Sequence, residues 1–382
     1  MTETGPHPAA SSGSSTGSST GSSTGSSTGS HRRVDPRSLP VRWLDALLSG
    51  QEDALALGVC RAVVAGILFV SSLLHLGSVA EYFSDDSMIN GRFAELAFPS
   101  RWSLFFTVRD PLAVQAIWAF GTAALGLWAL GLYTRISSIL GMLLWFSMYG
   151  RNPLLYAYPD QLALMFGALM ALTPAGRGFS LDARLRGKGG TVPVWCRRII
   201  QLQLGIVYTA TGLEKTGDTW HVDGTAIYYT LTNPYNRHFD AGWLFARLQA
   251  WVLRPATFMV LVWEVAFGAF VAYHWLRDLA GGRFLRVLDR RRSDVGSSSS
   301  AVRQRGLPIP DLRWLFLGFG ALMHLGIQIG VYVVLFSPLM VGAYVSFLTS
   351  AELRRITRAL ARPFARLRSR STRAHESDSM RS

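Results

Sequence analysis

Gln201, Tyr208 and Lys215 recur at seven-residue intervals in a largely apolar stretch, with Gly205 and Gly212 between them. Seven residues are close to two helical turns, so the three polar side chains share one helix face within about 20 to 40 degrees. Further along stand Glu264, His324 and Gln328, each inside an apolar run, and earlier come His75, Arg151, Asn152 and Asp160 beside such runs. A carboxylate among apolar residues must be protonated, paired or hydrated, and Lys215 and His324 are the partners available to Glu264. The chemistry open to this set is acid–base exchange and charge pairing in a cavity sheltered from water. Each member also has a plain structural reading. The glycine-flanked face suits close packing of another helix, Lys215 suits a lysine snorkelling to headgroups, His75 and Asp160 suit an interface, and His324 suits a hydrogen-bonded core histidine.

The elements that would hold these residues are apolar helices. Of 382 residues, 49% are hydrophobic and 16% charged, against about a quarter charged in soluble chains. Windows near 54–76, 111–132, 154–174, 194–213, 256–276 and 312–335 approach the roughly 20 apolar residues that cross a bilayer. Two shorter runs, 136–149 and 336–348, adjoin them. The reading is an all-α polytopic transmembrane helix bundle of about eight spans within residues 41–350. Residues 1–40 form a Gly/Ser/Thr-rich tail whose composition predicts disorder. The stretch 277–313 reads as a basic, Ser-rich loop, and 351–382 as a basic tail.

The net charge of +14 raises nucleic acid as a partner, and its placement argues against one. Arg32, Arg33, Arg37 and Arg42 precede the first span; Arg135, the group from Arg177 to Arg198, the group from Arg283 to Arg292, and Arg354, Arg355 and Arg358 fall in alternate loops. With eight spans this is the positive-inside pattern, which puts both termini in the cytoplasm and the polar cluster in the outer half of the membrane. The partner is then the lipid bilayer, with no nucleic acid. Cys60 and Cys196 are too few for a disulfide framework. No CxxC, HExxH, GxGxxG or Walker spacing is present, so metal and phosphate chemistry have no motif behind them.

From Asp160 through Tyr229 the chain resembles the horizontally transferred transmembrane (HTTM) domain, the membrane portion shared with vitamin K-dependent gamma-carboxylase. The resemblance rests on Arg151-Asn152-Pro153, Asp160, Leu172-Thr173-Pro174 and Ser180-Leu181-Asp182, then on Trp195, Gln201, Gln203, Tyr208, Gly212, Lys215, Trp220 and Gly224-Thr225-Ala226. It extends more weakly from Arg42 to about Leu348. It implies a base at Lys215 that activates a reduced quinone of the vitamin K or menaquinone type, with Asp160, Glu264 and His324 as charge partners. Gln201, Tyr208 and Trp220 are the residues that would contact the quinone, and the amphipathic stretch Trp243–Leu253 would flank its access from the membrane surface. The carboxylase has a large luminal region that nothing here matches, so quinol or lipid chemistry is expected rather than carboxylation of a protein. The implied setting is the bacterial cytoplasmic membrane. A competing expectation is a non-enzymatic accessory factor that binds or matures a peptide or lipid.

Overall fold

The computed structural model describes residues 47–281 and 310–359, apart from 153, 156, 157, 188 and 335, together with 41 and 45. The predicted tail 1–40, most of the 277–313 loop and the chain after 359 lie outside the described residues. The elements below belong to the unit Trp43–Ser382.

The domain is all-α but for one short antiparallel pair, β1 (Gln51–Asp53) with β2 (Thr191–Pro193), in which Glu52 faces Val192. Its principal helices are α1 (Leu55–Leu73), α2 (Pro111–Leu130), α3 (Thr134–Arg151), α4 (Tyr158–Leu172), α5 (Trp195–Glu214), α6 (Arg254–Gly281), α7 (Arg313–Gly330) and α8 (Phe336–Ala343). Each predicted window therefore holds a helix. As membrane spans, however, the windows are corrected.

Among the described residues, three helices are long and apolar enough to cross a membrane: Leu55–Leu73, Pro111–Leu130 and the continuous run Gly242–Leu279 that contains most of α6. About eight spans is overturned. The alternate-loop reading of the arginines, the cytoplasmic termini and the outer-half placement of the polar cluster rested on that count and go with it. The physical reasons differ by helix. α4 has 15 residues, about 22 Å of helix, short of a hydrocarbon core of about 30 Å. The apolar helix Phe336–Phe347, which holds α8, is shorter still. α3 carries Arg135 and Arg151, α5 carries Arg197, Arg198, Gln201, Gln203 and Glu214, and α7 carries Arg313, His324 and Gln328. Several of these polar groups bond to other parts of the protein. Arg151, fully buried, donates from Nη2 to Ser84 O at 2.6 Å, Ser87 Oγ at 2.7 Å and Ile89 O at 2.9 Å, while its Nε and Nη1 have no partner among the described residues. The apolar helices still expose Val70, Leu73, Phe120, Val262 and Leu276, a surface suited to lipid contact.

Local chemistry sets the helix ends. Asp110 caps α2 by accepting from Ala113 N at 2.9 Å, with Pro111 in the first turn. The helix stops at Gly131, whose φ of 72° is left-handed and suits glycine. The buried Arg61 of α1 donates to Trp128 O at 3.1 Å and to Phe179 O at 2.5 Å; the first is a second bond for a carbonyl at the end of α2 that also accepts from Gly131 N at 3.0 Å. The carboxylate of Asp182 accepts from Tyr133 N at 3.1 Å, Thr134 N at 2.8 Å and Thr134 Oγ1 at 2.8 Å, so an anion faces the start of α3, where the helix dipole favours it.

The helix pair that positions the candidate site is α5 against α6. The two helices approach so closely at Gly212 that an added Cβ would lie 2.8 Å from Val265 N and 3.0 Å from Glu264 Cβ. Val265 N is backbone and cannot rotate aside. Gly212→Ala is therefore expected to force the two helices apart, lowering stability by about 1–3 kcal/mol and disturbing the side chain of Glu264. A thermal or denaturant melt in detergent checks the first effect, and an unchanged melting point would show that the contact is slack.

Candidate functional site

Lys215 caps the C-terminal end of α5, and Glu264 lies within α6. The packing at Gly212 brings them together: Lys215 Nζ donates to Glu264 Oε2 at 2.5 Å and to Thr211 O at 3.2 Å. Both side chains are largely covered, at 20% and 10% exposure. The edge of the ammonium also meets the ring of Trp220, 5.1 Å from its centroid. Charges removed from water are costly unless paired, and this pair answers what becomes of a carboxylate in an apolar helix.

The pair stands in the wall of a cavity of about 590 Å³ between α5, α6, α7 and the segment from Ile227 to Leu231. Most of its lining is apolar, including Val207, Leu231, Val260, Phe319, Leu322 and Phe336. Its polar members are Lys215, Glu264, Tyr208, Trp220, Tyr158, Thr211 and Thr230. The two threonine hydroxyls donate to their own helices, Thr211 Oγ1 to Val207 O at 2.9 Å and Thr230 Oγ1 to Ala226 O at 2.9 Å.

Behind the wall Tyr208 is held by two neighbours. Its hydroxyl lies 2.6 Å from His324 Nε2 and 2.6 Å from Tyr344 Oη, and its ring packs against Trp263 and Phe267. Ion pairs fix the far ends of the helices concerned. Arg197 of α5 pairs with Glu52 of β1 at 2.7 Å. Arg313 of α7 bridges Asp311 at 2.6 Å and Glu352 at 2.8 Å, and that guanidinium holds the Asp311 carboxyl down to about 2.

The structure sorts the residues singled out from sequence. Lys215, Glu264, Tyr208 and Trp220 meet at the cavity. His324 is fully buried behind Tyr208 and serves it rather than Glu264. Gln201 shares the helix face but is two turns below Tyr208, where it donates to Ser346 O at 2.7 Å and accepts from Trp275 Nε1 at 2.6 Å; it does not line the cavity. Asp160 stands in the first turn of α4 and is not part of the lining. His75 bonds Ser71 O at 3.0 Å beside Tyr82 and Phe83. Trp243–Leu253 forms a short helix and a π-helical turn leading into α6, with Trp243 and Trp251 exposed and Leu253 on the cavity wall. Sequence reasoning missed Tyr344 and Tyr158. The signal for Tyr344 was a phenol inside the short apolar run 336–348.

A more open hollow of about 830 Å³ lies beside β2, near the start of α5, and is lined by Trp128, Thr134, Arg135, Thr173, Arg177 and Asp182 among others. Its carboxylate is already committed to the start of α3, so it lacks a reactive pair. Among the described residues, no group of three or more His, Cys, Asp or Glu side chains could hold a metal ion.

The family model of the HTTM domain matches residues 50–285, more than half of the chain. The chain belongs to the HTTM family. The HTTM match contains Tyr208, Lys215, Trp220 and Glu264, whereas His324 and Tyr344 lie beyond it. Neither the curated proteins nor the solved structures give a match.

Removing one partner of the pair leaves the other charge uncompensated, which costs about 3–5 kcal/mol where burial is deep. Lys215→Met and Glu264→Gln are each expected to lower stability, and the double variant to lose less than the sum of the two. A double-mutant cycle by detergent melting should return a coupling above about 1 kcal/mol. Additive effects would mean that the two groups do not interact.

Proposed function

We propose that this HTTM protein is a multi-pass protein of the bacterial cytoplasmic membrane that carries out quinol-dependent chemistry with Lys215 as the base. The observation that carries the reading is the Lys215–Glu264 contact of 2.5 Å in the wall of an otherwise apolar cavity. At about 590 Å³ the space falls within the range usual for small-molecule sites. One charged pair suits a polar head, and the run of Leu231, Val260, Leu322 and Phe319 suits an isoprenoid tail. The residues present thus fit a reduced quinone of the vitamin K or menaquinone type, which when bound supplies an acidic hydroxyl and a pair of electrons.

The chain's own part in that chemistry follows from the contacts. When the proton shared across the pair rests on Glu264 Oε2, Lys215 is a neutral amine whose lone pair accepts that O–H. Turning the lone pair toward the cavity lets Nζ take a proton from a ligand hydroxyl, leaving an ammonium beside a neutral carboxyl. Thr211 O, 3.2 Å from Nζ, holds the amine in place, and Trp220 covers its side. The mostly apolar walls lower the polarity around the amine, which strengthens its interaction with Glu264.

A second reading has the same cavity in its favour. Its predominantly apolar lining suits a lipid chain or an apolar peptide segment, and the protein would then be an accessory factor without turnover. The two readings separate on the rate at which purified protein in liposomes, with dioxygen supplied as the two-electron acceptor, consumes a reduced naphthoquinone, followed by absorbance against a protein-free control. Under the enzyme reading Lys215→Ala lowers that rate at least about 100-fold while the protein accumulates normally in the membrane. Equal rates in wild type and variant would sink it.

A further inference from the structure

The cavity's polar groups are not equally free to bind. Thr211 and Thr230 donate their hydroxyl hydrogens to their own helices and are left only to accept, and Tyr158 stands half exposed. The threonine oxygens and the Trp220 indole keep bonding capacity but are not buried; apart from the Lys215–Glu264 pair, Tyr208 is the buried polar residue of the lining. A phenol has one donor and two acceptor positions. His324 Nε2 and Tyr344 Oη, each 2.6 Å away, occupy two of the three.

The direction of these two bonds is not locked. A histidine tautomer is ordinarily set by what its other ring nitrogen bonds, and the Nδ1 atom of the fully buried His324 has no hydrogen-bond partner among the described residues. The ring can therefore carry its proton on either nitrogen, and Tyr344 Oη can turn its hydrogen toward or away from Tyr208. If His324 Nε2 accepts from Tyr208, the phenol oxygen is left to accept a further bond. If Nε2–H donates, the phenol hydrogen is left to donate one.

We propose that Tyr208 is a second recognition point of the cavity, reversible in polarity, which holds one ligand oxygen both as a carbonyl and as a hydroxyl. His324 and Tyr344 are positioning residues that act through it. Tyr208 is seven residues from Lys215, about 10 Å along the helix axis, so the ligand class is an apolar molecule with oxygen functions at two places. This rests on the quinol reading and deepens it: a quinol that gives two electrons and two protons to an acceptor such as dioxygen presents a hydroxyl before and a carbonyl after, and the reversible phenol meets both without rearrangement of the backbone.

The test uses the full chain in lipid nanodiscs and two probes, a naphthoquinone with a four-isoprene tail and its hydroquinone kept anaerobically. Binding is followed by quenching of tryptophan fluorescence, since Trp220 lines the cavity. Wild type is expected to bind the two forms within about threefold of each other. Tyr208→Phe should weaken both by about tenfold, the size of one hydrogen bond. Tyr344→Phe, which leaves His324 alone to set direction, should shift the ratio of the two affinities by about threefold or more, and it keeps the test open if Tyr208→Phe does not fold. Binding by wild type with neither variant affecting affinity or ratio would overturn the role of Tyr208 while sparing the quinol reading. No binding of either probe by wild type would overturn both.

Discussion

A lysine and a carboxylate facing each other inside an apolar wall make a demand on everything around them. Lys215 and Glu264 come from different helices, and their contact exists only because α5 and α6 approach at Gly212, where no side chain intervenes. A buried pair of this kind is rarely a source of net stability, because the cost of removing two ions from water offsets much of their attraction. Under the proposed function its presence is explained by a proton that can move between two groups in a mostly apolar site. The remaining polar architecture serves the same end. Arg197 with Glu52, and Arg313 with Asp311 and Glu352, fix the far ends of α5 and α7, which leaves their other ends to frame the cavity.

Much of this was legible in sequence, and the parts that were not have physical causes. The seven-residue spacing of Gln201, Tyr208 and Lys215 placed the three correctly on one face. That face is about 21 Å long from first to last, so its ends serve different neighbours. Gln201 supports the packing of Trp275 and Ser346, while Tyr208 and Lys215 reach the cavity. Glu264 found Lys215, one of the two partners expected of it. His324 went to Tyr208, because hydrogen-bond partners across helices depend on rotation and depth that spacing alone does not fix. The resemblance to the HTTM domain was readable from ordered motif residues, and the match over residues 50–285 is broader than the stretch that carried it.

The count of spans failed for a reason particular to this domain. A hydropathy window weighs apolar residues and is blind to where a polar side chain finds its partner. Arg151, Arg197, Gln201 and Arg313 sit in helices that look nearly apolar, yet each is bonded to protein groups. Helices such as α3, α5 and α7 are held by these internal bonds, whereas Leu55–Leu73, Pro111–Leu130 and Gly242–Leu279 have the length and composition to meet lipid.

The central claim is that the cavity beside Lys215 and Glu264 holds a quinone. Mass spectrometry of small molecules that co-purify with the detergent-solubilised protein tests it most directly, comparing wild type with Lys215→Ala. The account predicts a quinone retained by wild type and depleted in the variant. Retention of no quinone by either protein would contradict it, and Lys215 would then stand as an ion-pair anchor between two helices.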